Sequence, residues 1–248
     1  MPEGDTIWRT AQTLHEALAG KVVNTARPDT LKRFQGRTVT EVTPVGKHLL
    51  IRFDNGLAIH SHMRMRGAWH VYRKGERWRR PTWQAKALLE TDEAVAVCFE
   101  APVIDLVKDE TKKLGHLGPD ILTDDWKVDE VVSRARVQAL KPIGELLLDQ
   151  RVTSGIGNIH RCEALWRCRV NPWTPTKNMT DDQLKALFED ARKAMRANLK
   201  ATSWSRNAVH GRANRPCPRC GTRIEIKAQG EHARMTFWCP ACQPAPKR

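Results

Sequence analysis

CPRCGTRIEIKAQGEHARMTFWCPAC, residues 217–242, carries two C-x-x-C pairs separated by eighteen residues. The pairs are Cys217 with Cys220 and Cys239 with Cys242. Each pair supplies two thiolates at the spacing of a tetrahedral site, and four sulfur ligands leave no coordination position open. The stretch therefore predicts one structural Zn²⁺ per chain, and a redox-active cysteine pair is the alternative.

Between the two pairs the sequence predicts a β-hairpin. Residues 222–227 and 234–238 are strand-like runs joined around Gln229-Gly230-Glu231. A metal at the base of the hairpin would hold its strands in place. Basic residues on the hairpin, Arg234 among them, would then be presented to a polyanion.

The charge of the whole chain also indicates a polyanionic partner. Lys and Arg number 42 against 28 Asp and Glu, which gives a formal net charge of +14. Both signs are interspersed and 40% of the residues are hydrophobic, so we expect a folded protein with nucleic acid as its first candidate partner. A basic protein without such a partner is the alternative. A length of 248 residues suits two modest domains.

Membrane and export signals are not evident in the sequence. It contains no run of about 18 apolar residues and no signal peptide with an apolar core. We therefore expect no membrane association and a cytoplasmic location. Cysteine usage fits a reducing compartment, because the grouped cysteines form a metal pattern more than a disulfide framework.

The N-terminal part begins with a predicted helix over residues 6–19. Asp5 is placed to cap its start and Gly20 to end it. Apolar residues recur at helical spacing, which predicts one face packed inward: Ile7, Ala11, Leu14 and Leu18.

Strand patterns follow this helix. Asn55-Gly56 between two apolar runs is a strong hairpin signal, and it joins residues 45–53 to residues 57–62. Further strand-like runs lie at residues 39–43, 68–72, 85–89 and 94–99. Together they predict a β-sandwich or barrel with the first helix packed against it.

The first residues of the chain could carry a nucleophile. With Met1 removed, Pro2 would have a free secondary amine, and an α-amino group titrates near 7.7–8 against about 10.4 for lysine. Attack on an aldehyde carbon such as C1′ of a sugar would give a cationic iminium, and the Glu3 carboxyl is adjacent for proton transfer. An exposed, frayed terminus is the simpler interpretation. A tautomerase that uses Pro2 as a base is a further alternative, but enzymes of that kind are small and lack a zinc site.

Two further features of this part could serve a nucleic acid. Lys47 follows Gly46 inside the predicted hairpin, either as a solvated strand residue or as a cation and proton donor at Pro2. Residues 63–67, Met-Arg-Met-Arg-Gly, could enter a duplex, with Met65 as a wedge between Arg64 and Arg66. An ordinary basic surface loop is the alternative. Residues 73–80 form another basic loop, with no specific signal.

The middle of the chain is predicted to be helical. Helical periodicity covers residues 129–140, and Pro142 interrupts it. Gly155-Ile156-Gly157-Asn158 then precedes a helix over residues 159–167, a turn whose backbone N–H groups and Asn158 amide could clamp a phosphate. An ordinary connection between helices is the alternative. A last helix extends from Thr180, which fits a capping box with Gln183, to residue 199.

These patterns predict an α+β fold with two domains. The first, residues 1–125, is a β-sandwich with a leading helix that would carry the catalytic residues. The second joins a helical part, residues 126–210, to the four-cysteine zinc hairpin, residues 211–248.

Four motifs in this order resemble a known family. They are the Pro-Glu-Gly start, the Gly46-Lys47-His48-Leu49-Leu50 run, the Gly155-Ile156-Gly157-Asn158 turn and the four-cysteine hairpin. Over essentially its whole length the chain resembles the formamidopyrimidine-DNA glycosylase and endonuclease VIII family, and within it the actinobacterial endonuclease VIII enzymes. These base-excision repair enzymes are both glycosylases and AP lyases. In them the Gly-Ile-Gly-Asn turn belongs to a helix–two-turn–helix domain.

The resemblance implies catalytic roles for four residues. Pro2 would form the Schiff base at C1′, and Glu3 would donate the proton for base loss and ring opening. Lys47 would assist the glycosylase and β-elimination steps. Arg234 stands five residues before Cys239, where the family has its hairpin arginine, and would bind the phosphate beside the lesion and support δ-elimination.

The resemblance also implies DNA contacts. Asn158 matches the phosphate-binding asparagine of the family. Arg64, Met65 and Arg66 would fill the void left by a flipped base, although relatives of the endonuclease VIII type commonly have Asn-Gln-Leu-Tyr in this loop. His116 falls where that branch has a DNA-contacting arginine.

The implied function is a bifunctional glycosylase and AP lyase that acts by β,δ-elimination on DNA. The segment of residues 199–216 is short. In the oxidised-purine branch of the family, a long loop lies over the flipped base at this point. This difference favours oxidised pyrimidines. A catalytically inactive or AP-site-specialised member of the fold is the alternative, and we expect a monomer in the bacterial cytoplasm, associated with the nucleoid.

Overall fold

The computed structural model describes residues 2–201 and 207–245. The chain divides into two compact units, Met1–His116 and Leu117–Arg248. Among the described helices, none combines the length and apolar composition needed to span a lipid bilayer.

The first unit opens with helix α1 (Gly4–Leu18), which starts two residues earlier than predicted. Its N-cap is Glu3, so the prediction that Asp5 caps the helix is wrong. The Asp5 carboxylate instead accepts from the backbone N–H of Thr6 at 2.8 Å, inside the first turn, where a negative charge is favourable to the helix dipole. The predicted inward face is confirmed, since all four of its residues are buried: Ile7, Ala11, Leu14 and Leu18.

Eight strands follow α1 and form two antiparallel four-stranded sheets. The strands are β1 (Thr25–Arg27), β2 (Val39–Val45), β3 (His48–Phe53), β4 (Ala58–His62), β5 (Ala68–Arg73), β6 (Ala85–Glu90), β7 (Ala94–Phe99) and β8 (Val103–Val107). One sheet has the order β1-β6-β7-β5 and the other β2-β3-β4-β8, which confirms the sandwich. The edge strands β1 and β8 were not predicted, and a short helix, α2 (Glu110–Leu114), follows β8.

The core of the first unit lies between α1 and the two sheets. Leu14 of α1 shares one buried cluster with Leu49 and Ile51 of β3 and with Leu89 of β6. Full burial of such a side chain contributes about 1.5–3 kcal/mol. The helix is therefore fixed to the sandwich by its apolar face, and its N-terminus is fixed with it.

In its described residues, the second unit combines four α-helices with a hairpin. The elements are α3 (Val128–Arg136), α4 (Ile143–Leu146), α5 (Asn158–Arg167), α6 (Asp181–Lys200), β9 (Glu225–Gln229) and β10 (Arg234–Trp238). Gly155, ahead of α5, has a φ of +108°, a conformation that only glycine adopts readily. This confirms the tight turn expected before the helix.

Helix α3 is shorter than its sequence pattern predicted. It ends at Arg136, and Val137 and Leu140, expected on its buried face, are exposed. Pro142 disfavours helical backbone in the residue before it, and it lies opposite Pro175 in an isolated bridge. The apolar periodicity therefore continued past the point where the backbone could remain helical.

Helix α6 agrees with its predicted start. The Thr180 hydroxyl accepts from the backbone of Gln183 at 3.2 Å, and the Gln183 side chain accepts from the backbone of Thr180 at 2.9 Å. This confirms the capping box. The buried face of the helix consists of Leu184, Leu187, Phe188, Ala191 and Met195.

Candidate functional site

The start of the first unit is held in place rather than frayed. Glu3, the N-cap of α1, is only 2% exposed, and Pro2 beside it is half-buried. The carbonyl of Glu3 accepts from the backbone N–H of Ile7 at 3.0 Å and so begins the helix. A carboxyl group and a proline nitrogen are thus presented from a rigid element.

Lys47 lies in the turn between β2 and β3 and not within a strand. The turn is possible because Gly46 has a φ of +57°. The positive charge of Lys47 is one of the causes that lower the pKa of His62 to about 4, after burial and the neighbouring His60. Lys47 therefore lies near enough to His62 for its charge to act on that ring.

Sequence reasoning missed a histidine cluster on this sheet. His48 Nδ1 lies 2.8 Å from His60 Nε2, and the His48 and His62 rings meet edge to face at 4.7 Å. The strand register explains the grouping, because His48 pairs with His62 and His60 pairs with Asp105 on one face. Burial, followed by the charges of His62 and His60, lowers the pKa of His48 to about 3. The signal in the sequence was the alternation His60-Ser61-His62 opposite His48.

His116 also belongs to this group. Its positive charge contributes to the lowered pKa of His48, as does that of Lys113. His116 follows α2, which is fixed to β3 by Arg52, whose guanidinium donates to both Glu110 oxygens at 2.6 and 2.7 Å. The structure therefore brings His116 near His48, although the two are far apart in sequence.

The loop of residues 63–67 presents its central residues to solvent. Met63 is buried in the core, and its carbonyl accepts from Gly67 N–H at 2.9 Å, which closes the loop. Arg64, Met65 and Arg66 are exposed between these anchors, with Met65 at 61%. A long apolar side chain held in water on a closed loop is suited to insertion between bases.

In the second unit, Asn158 joins α5 to the hairpin. It is the first residue of the helix, and its amide donates to the Met235 carbonyl in β10 at 2.9 Å. Because an amide has two N–H donors, this bond leaves capacity for a second acceptor. Asn158 thus links the predicted phosphate turn to the strand that begins with Arg234.

A fully buried arginine beside Asn158 reinforces this link. Arg161 donates from Nη2 to the Thr236 hydroxyl at 2.7 Å and to the Met235 carbonyl at 3.3 Å. From Nη1 it donates to the Gly144 carbonyl at 3.3 Å and to Gln229 at 3.4 Å. One guanidinium therefore bonds to α4 and to both hairpin strands, which fixes the position of the strand behind Arg234.

Arg234 lies at the rim of a cavity of about 400 Å³ within this unit. Other lining residues include Arg151, Arg161, Glu231 and His232. The backbone turns into the strand at Ala233, which has a φ of +45°. Arg234 is half-buried and pairs in register with Gln229.

The four cysteines converge at the base of the hairpin. All four sulfur atoms lie within 4.8 Å of one another. Cys220 is 3.5 Å from Cys239, and Cys217 is 3.9 Å from Cys242. A tetrahedral site with metal–sulfur bonds of about 2.3 Å requires sulfur separations of about 3.8 Å, so the cluster fits a metal ion.

Comparison with known proteins gives the family. Three family models match: the formamidopyrimidine-DNA glycosylase N-terminal domain over residues 1–102, the formamidopyrimidine-DNA glycosylase H2TH domain over 117–208, and the zinc finger found in FPG and IleRS over 215–245. A probable endonuclease 8 2 of Streptomyces coelicolor is 41% identical over 266 residues, which cover 100% of this chain and 96% of the relative. The chain belongs to the formamidopyrimidine-DNA glycosylase and endonuclease 8 family.

Other similar proteins align with this chain over nearly its full length. A DNA-(apurinic or apyrimidinic site) lyase Nei2 of Mycolicibacterium smegmatis is 34% identical, with 99% of this chain and 100% of the relative covered. The formamidopyrimidine-DNA glycosylase of Lactococcus lactis, solved with DNA containing an AP site, has a TM-score of 0.85 at 19% identity and covers 98% of this chain and 100% of its own. The resemblance, the enzyme class and the α+β fold predicted from sequence are thereby confirmed.

In this member of the family the predicted site residues fall into two groups. The first unit holds Pro2, Glu3, Lys47, His116 and the loop of residues 63–67. The second unit holds Asn158, Arg234 and the four cysteines. Arg161 and the histidine cluster are additions that only the structure supplies.

The Arg161 network predicts a large effect from a shape-conserving change. Arg161→Met should lower the free energy of unfolding by about 1–3 kcal/mol, because buried acceptors in both hairpin strands lose their donors. The control is Arg134→Met, which removes an exposed arginine paired with Glu130 at 3.0 Å and should change stability by less than about 0.5 kcal/mol. Urea unfolding followed by circular dichroism measures both, and equal stabilities of the two variants would contradict the assigned role.

The histidine cluster predicts a dependence of stability on pH. The folded-state pKa values of His48 and His62 lie at about 3 and about 4, against 6.5 for ordinary histidine. Between these values the unfolded state binds more protons, so these groups lower the free energy of unfolding as the pH falls from about 6.5 toward about 4. The double variant His48→Gln/His62→Gln should lose less stability over this range than wild type in urea titrations. An unchanged pH dependence in the double variant would disprove the prediction.

Proposed function

We propose that this chain is a bifunctional DNA glycosylase and AP lyase that excises oxidised bases, with pyrimidines favoured, and cuts the DNA backbone by β,δ-elimination. One observation carries the proposal: Pro2 and Glu3 lie at the buried, docked start of α1. A frayed terminus could not hold a nucleophile and a proton donor in reacting geometry.

The first step would replace the glycosidic bond by a bond to the protein. With Met1 removed, the neutral secondary amine of Pro2 attacks C1′ of the flipped nucleotide. The Glu3 carboxyl delivers a proton as the sugar ring opens and the damaged base departs with the electrons of the C1′–N bond. The proton lost by the amine and the proton from Glu3 together leave the free base and the 4′-oxygen neutral, and a cationic iminium between Pro2 and C1′ remains.

The second stage would use this iminium as an electron sink. Its positive charge acidifies the hydrogen on C2′, and removal of that proton expels the 3′ phosphate by β-elimination. A further elimination expels the 5′ phosphate, and hydrolysis of the imine releases Pro2. Lys47, at the β2–β3 turn, would assist the first elimination as a cation beside the leaving oxygen.

Phosphate binding would come from the second unit. Asn158 and the backbone N–H groups at the start of α5 would hold one phosphate. Arg234 would hold the phosphate beside the lesion and support δ-elimination. Their geometry depends on the bonds that Asn158 and Arg161 make to the Met235 carbonyl.

Lesion access would depend on the loop of residues 63–67. Met65 would enter the space left by the flipped base, with Arg64 and Arg66 facing the opposite strand. His116, which lies near His48, would contact DNA from the first unit. The net charge of +14 would attract DNA, and the release of counterions from the DNA would favour binding.

We assign the four-cysteine site to Zn²⁺. The sulfur separations suit tetrahedral coordination, and a four-thiolate set is typical of structural zinc. When bound, the ion supplies rigidity to the hairpin and no reactive group. Trp166 Nε1–H donates to the Cys217 sulfur at 3.4 Å, which stabilises that sulfur as a thiolate.

The proposal also covers the substrate preference, the oligomeric state and the location of the protein. Oxidised pyrimidines are favoured because residues 199–216 leave little length for a loop over the base, although residues 202–206 of this segment lie outside the described part. A monomer in the bacterial cytoplasm is proposed with it. In support of a DNA substrate, one relative is named an AP-site lyase and a protein of the same fold was solved with AP-site DNA.

Borohydride trapping tests the nucleophile. Protein in which mass spectrometry shows Met1 to be removed should form a covalent adduct with AP-site DNA, because borohydride reduces the iminium. The matched control is the same chain with an uncleaved N-terminal tag, which should form no adduct while still binding DNA. No adduct from the processed protein would support the alternative of an inactive DNA-binding member.

Glu3→Gln separates the two activities. An AP site no longer needs a proton for base departure, so the variant should retain more lyase activity on AP-site DNA than glycosylase activity on thymine glycol or 5-hydroxyuracil. Single-turnover cleavage of both substrates gives the two rates. If both rates of the variant fall by the same factor, Glu3 does not have the proposed role. If the wild-type protein cleaves only AP-site DNA, the chain is an AP-specialised enzyme.

A further inference from the structure

A basic segment runs from the end of β5 through the connecting loop to the start of β6. Residues 73–86, which we call the basic Trp segment, carry six Lys or Arg and one Glu. Of the tryptophans in the described part of the chain, Trp83 alone is exposed, at 75%. Exposed cations surround it in sequence, among them Arg77, Arg79 and Lys86.

The segment is anchored, so Trp83 is displayed from a fixed base. Trp78 packs against Tyr72 at 6.3 Å and against Phe99 at 5.8 Å between ring centres. The backbone N–H of Arg79 donates to the Tyr72 hydroxyl at 3.1 Å. Trp83 itself belongs to a short helical turn, Thr82–Gln84, whose last residue bonds back to Pro81 at 3.1 Å.

Arg80 connects this segment to the loop of residues 63–67. Its Nη1 donates to the Arg66 carbonyl at 3.2 Å and to the Glu100 carboxylate at 3.1 Å. The guanidinium also lies over the Phe99 ring at 5.9 Å. The basic Trp segment is therefore continuous with the surface that is proposed to enter DNA at the lesion.

An exposed indole among cations matches the chemistry of single-stranded DNA. Base–aromatic stacking contributes about 1–3 kcal/mol per base and tolerates any sequence, while neighbouring Arg and Lys neutralise phosphates. Bases inside a duplex are already stacked on one another. An indole face therefore selects unpaired bases, and paired DNA would engage only the cations.

We propose that the basic Trp segment is a second DNA contact, for an unpaired strand next to the lesion, with one base stacked on Trp83. Arg79 and Lys86 hold its phosphates. The inference rests on the proposed function for the identity of the polymer. It adds a preference for forked or partly single-stranded substrates, which the catalytic residues do not provide.

Fluorescence anisotropy with two labelled substrates tests the stacking. Both carry a tetrahydrofuran AP-site analogue, which cannot form the iminium; one is fully duplex and the other has a single-stranded arm beside the analogue. Trp83→Ala should weaken binding to the armed substrate by about 5- to 100-fold and to the duplex by no more than about twofold. Trp83→Phe keeps an aromatic face and should stay within about threefold of wild type on both.

A salt titration tests the cations. Arg79→Gln/Lys86→Gln should reduce the slope of log K against log salt on the armed substrate by about 1.4, since single strands contribute about 0.7 per phosphate. The control Lys193→Gln/Lys200→Gln removes two exposed charges from α6 and should leave the slope unchanged. Equal changes in the two double variants would show a general charge effect and overturn the proposed contact.

Other outcomes separate this inference from the proposed function. The inference would be overturned if the wild-type protein bound the armed substrate no more tightly than the duplex. It would also be overturned if Trp83→Ala lost the same factor of affinity for both substrates. Trp83→Ala should retain borohydride trapping on duplex AP-site DNA at the wild-type level. Failure of trapping in the processed wild type would instead count against the proposed nucleophile and leave the anisotropy result interpretable.

Discussion

The arrangement of the second unit depends on the buried guanidinium of Arg161. An arginine removed from water is costly unless its donors are satisfied, and here the acceptors belong to different elements. The Gly144 carbonyl comes from α4, while Met235 and Thr236 come from β10. The planar fork of arginine meets several acceptors at once, so these bonds tie the helices to the hairpin. Asn158 also bonds to the strand that begins with Arg234.

The first unit holds Pro2 and Glu3 at the start of a helix that packs on a sandwich. The apolar face of α1 packs into the core of the sandwich, and the start of the helix, with Glu3 and Pro2, is fixed with it. On the neighbouring sheet, burial keeps His48 and His62 uncharged at neutral pH, so the positive charge of Lys47 is not joined by two more. Mutual repulsion among clustered cations is thereby reduced until a polyanion arrives.

Sequence patterns predicted the elements best where a local rule was strong. The capping box at Thr180, the Asn55-Gly56 hairpin and the buried face of α1 all depend on residues within one or two turns of each other. Predictions failed where a distant contact decided. Asp5 looked like a cap, but the helix begins two residues earlier with Glu3 as its N-cap, and α3 ends at Arg136 although its apolar periodicity continues, with Pro142 beyond it bridged to Pro175. The three-residue strand β1 has too short a pattern to detect without its partner β6.

The sequence by itself determined the family, the grouping of four cysteines and the order of the motifs, because each depends on residue type and spacing along the chain. Only the tertiary structure decided that Lys47 lies near His62, that His116 lies near His48, and that Trp83 is displayed from an anchored turn. These relations arise between residues on different strands and loops. Strand register, burial and the reach of individual side chains set them, and no local pattern encodes those quantities.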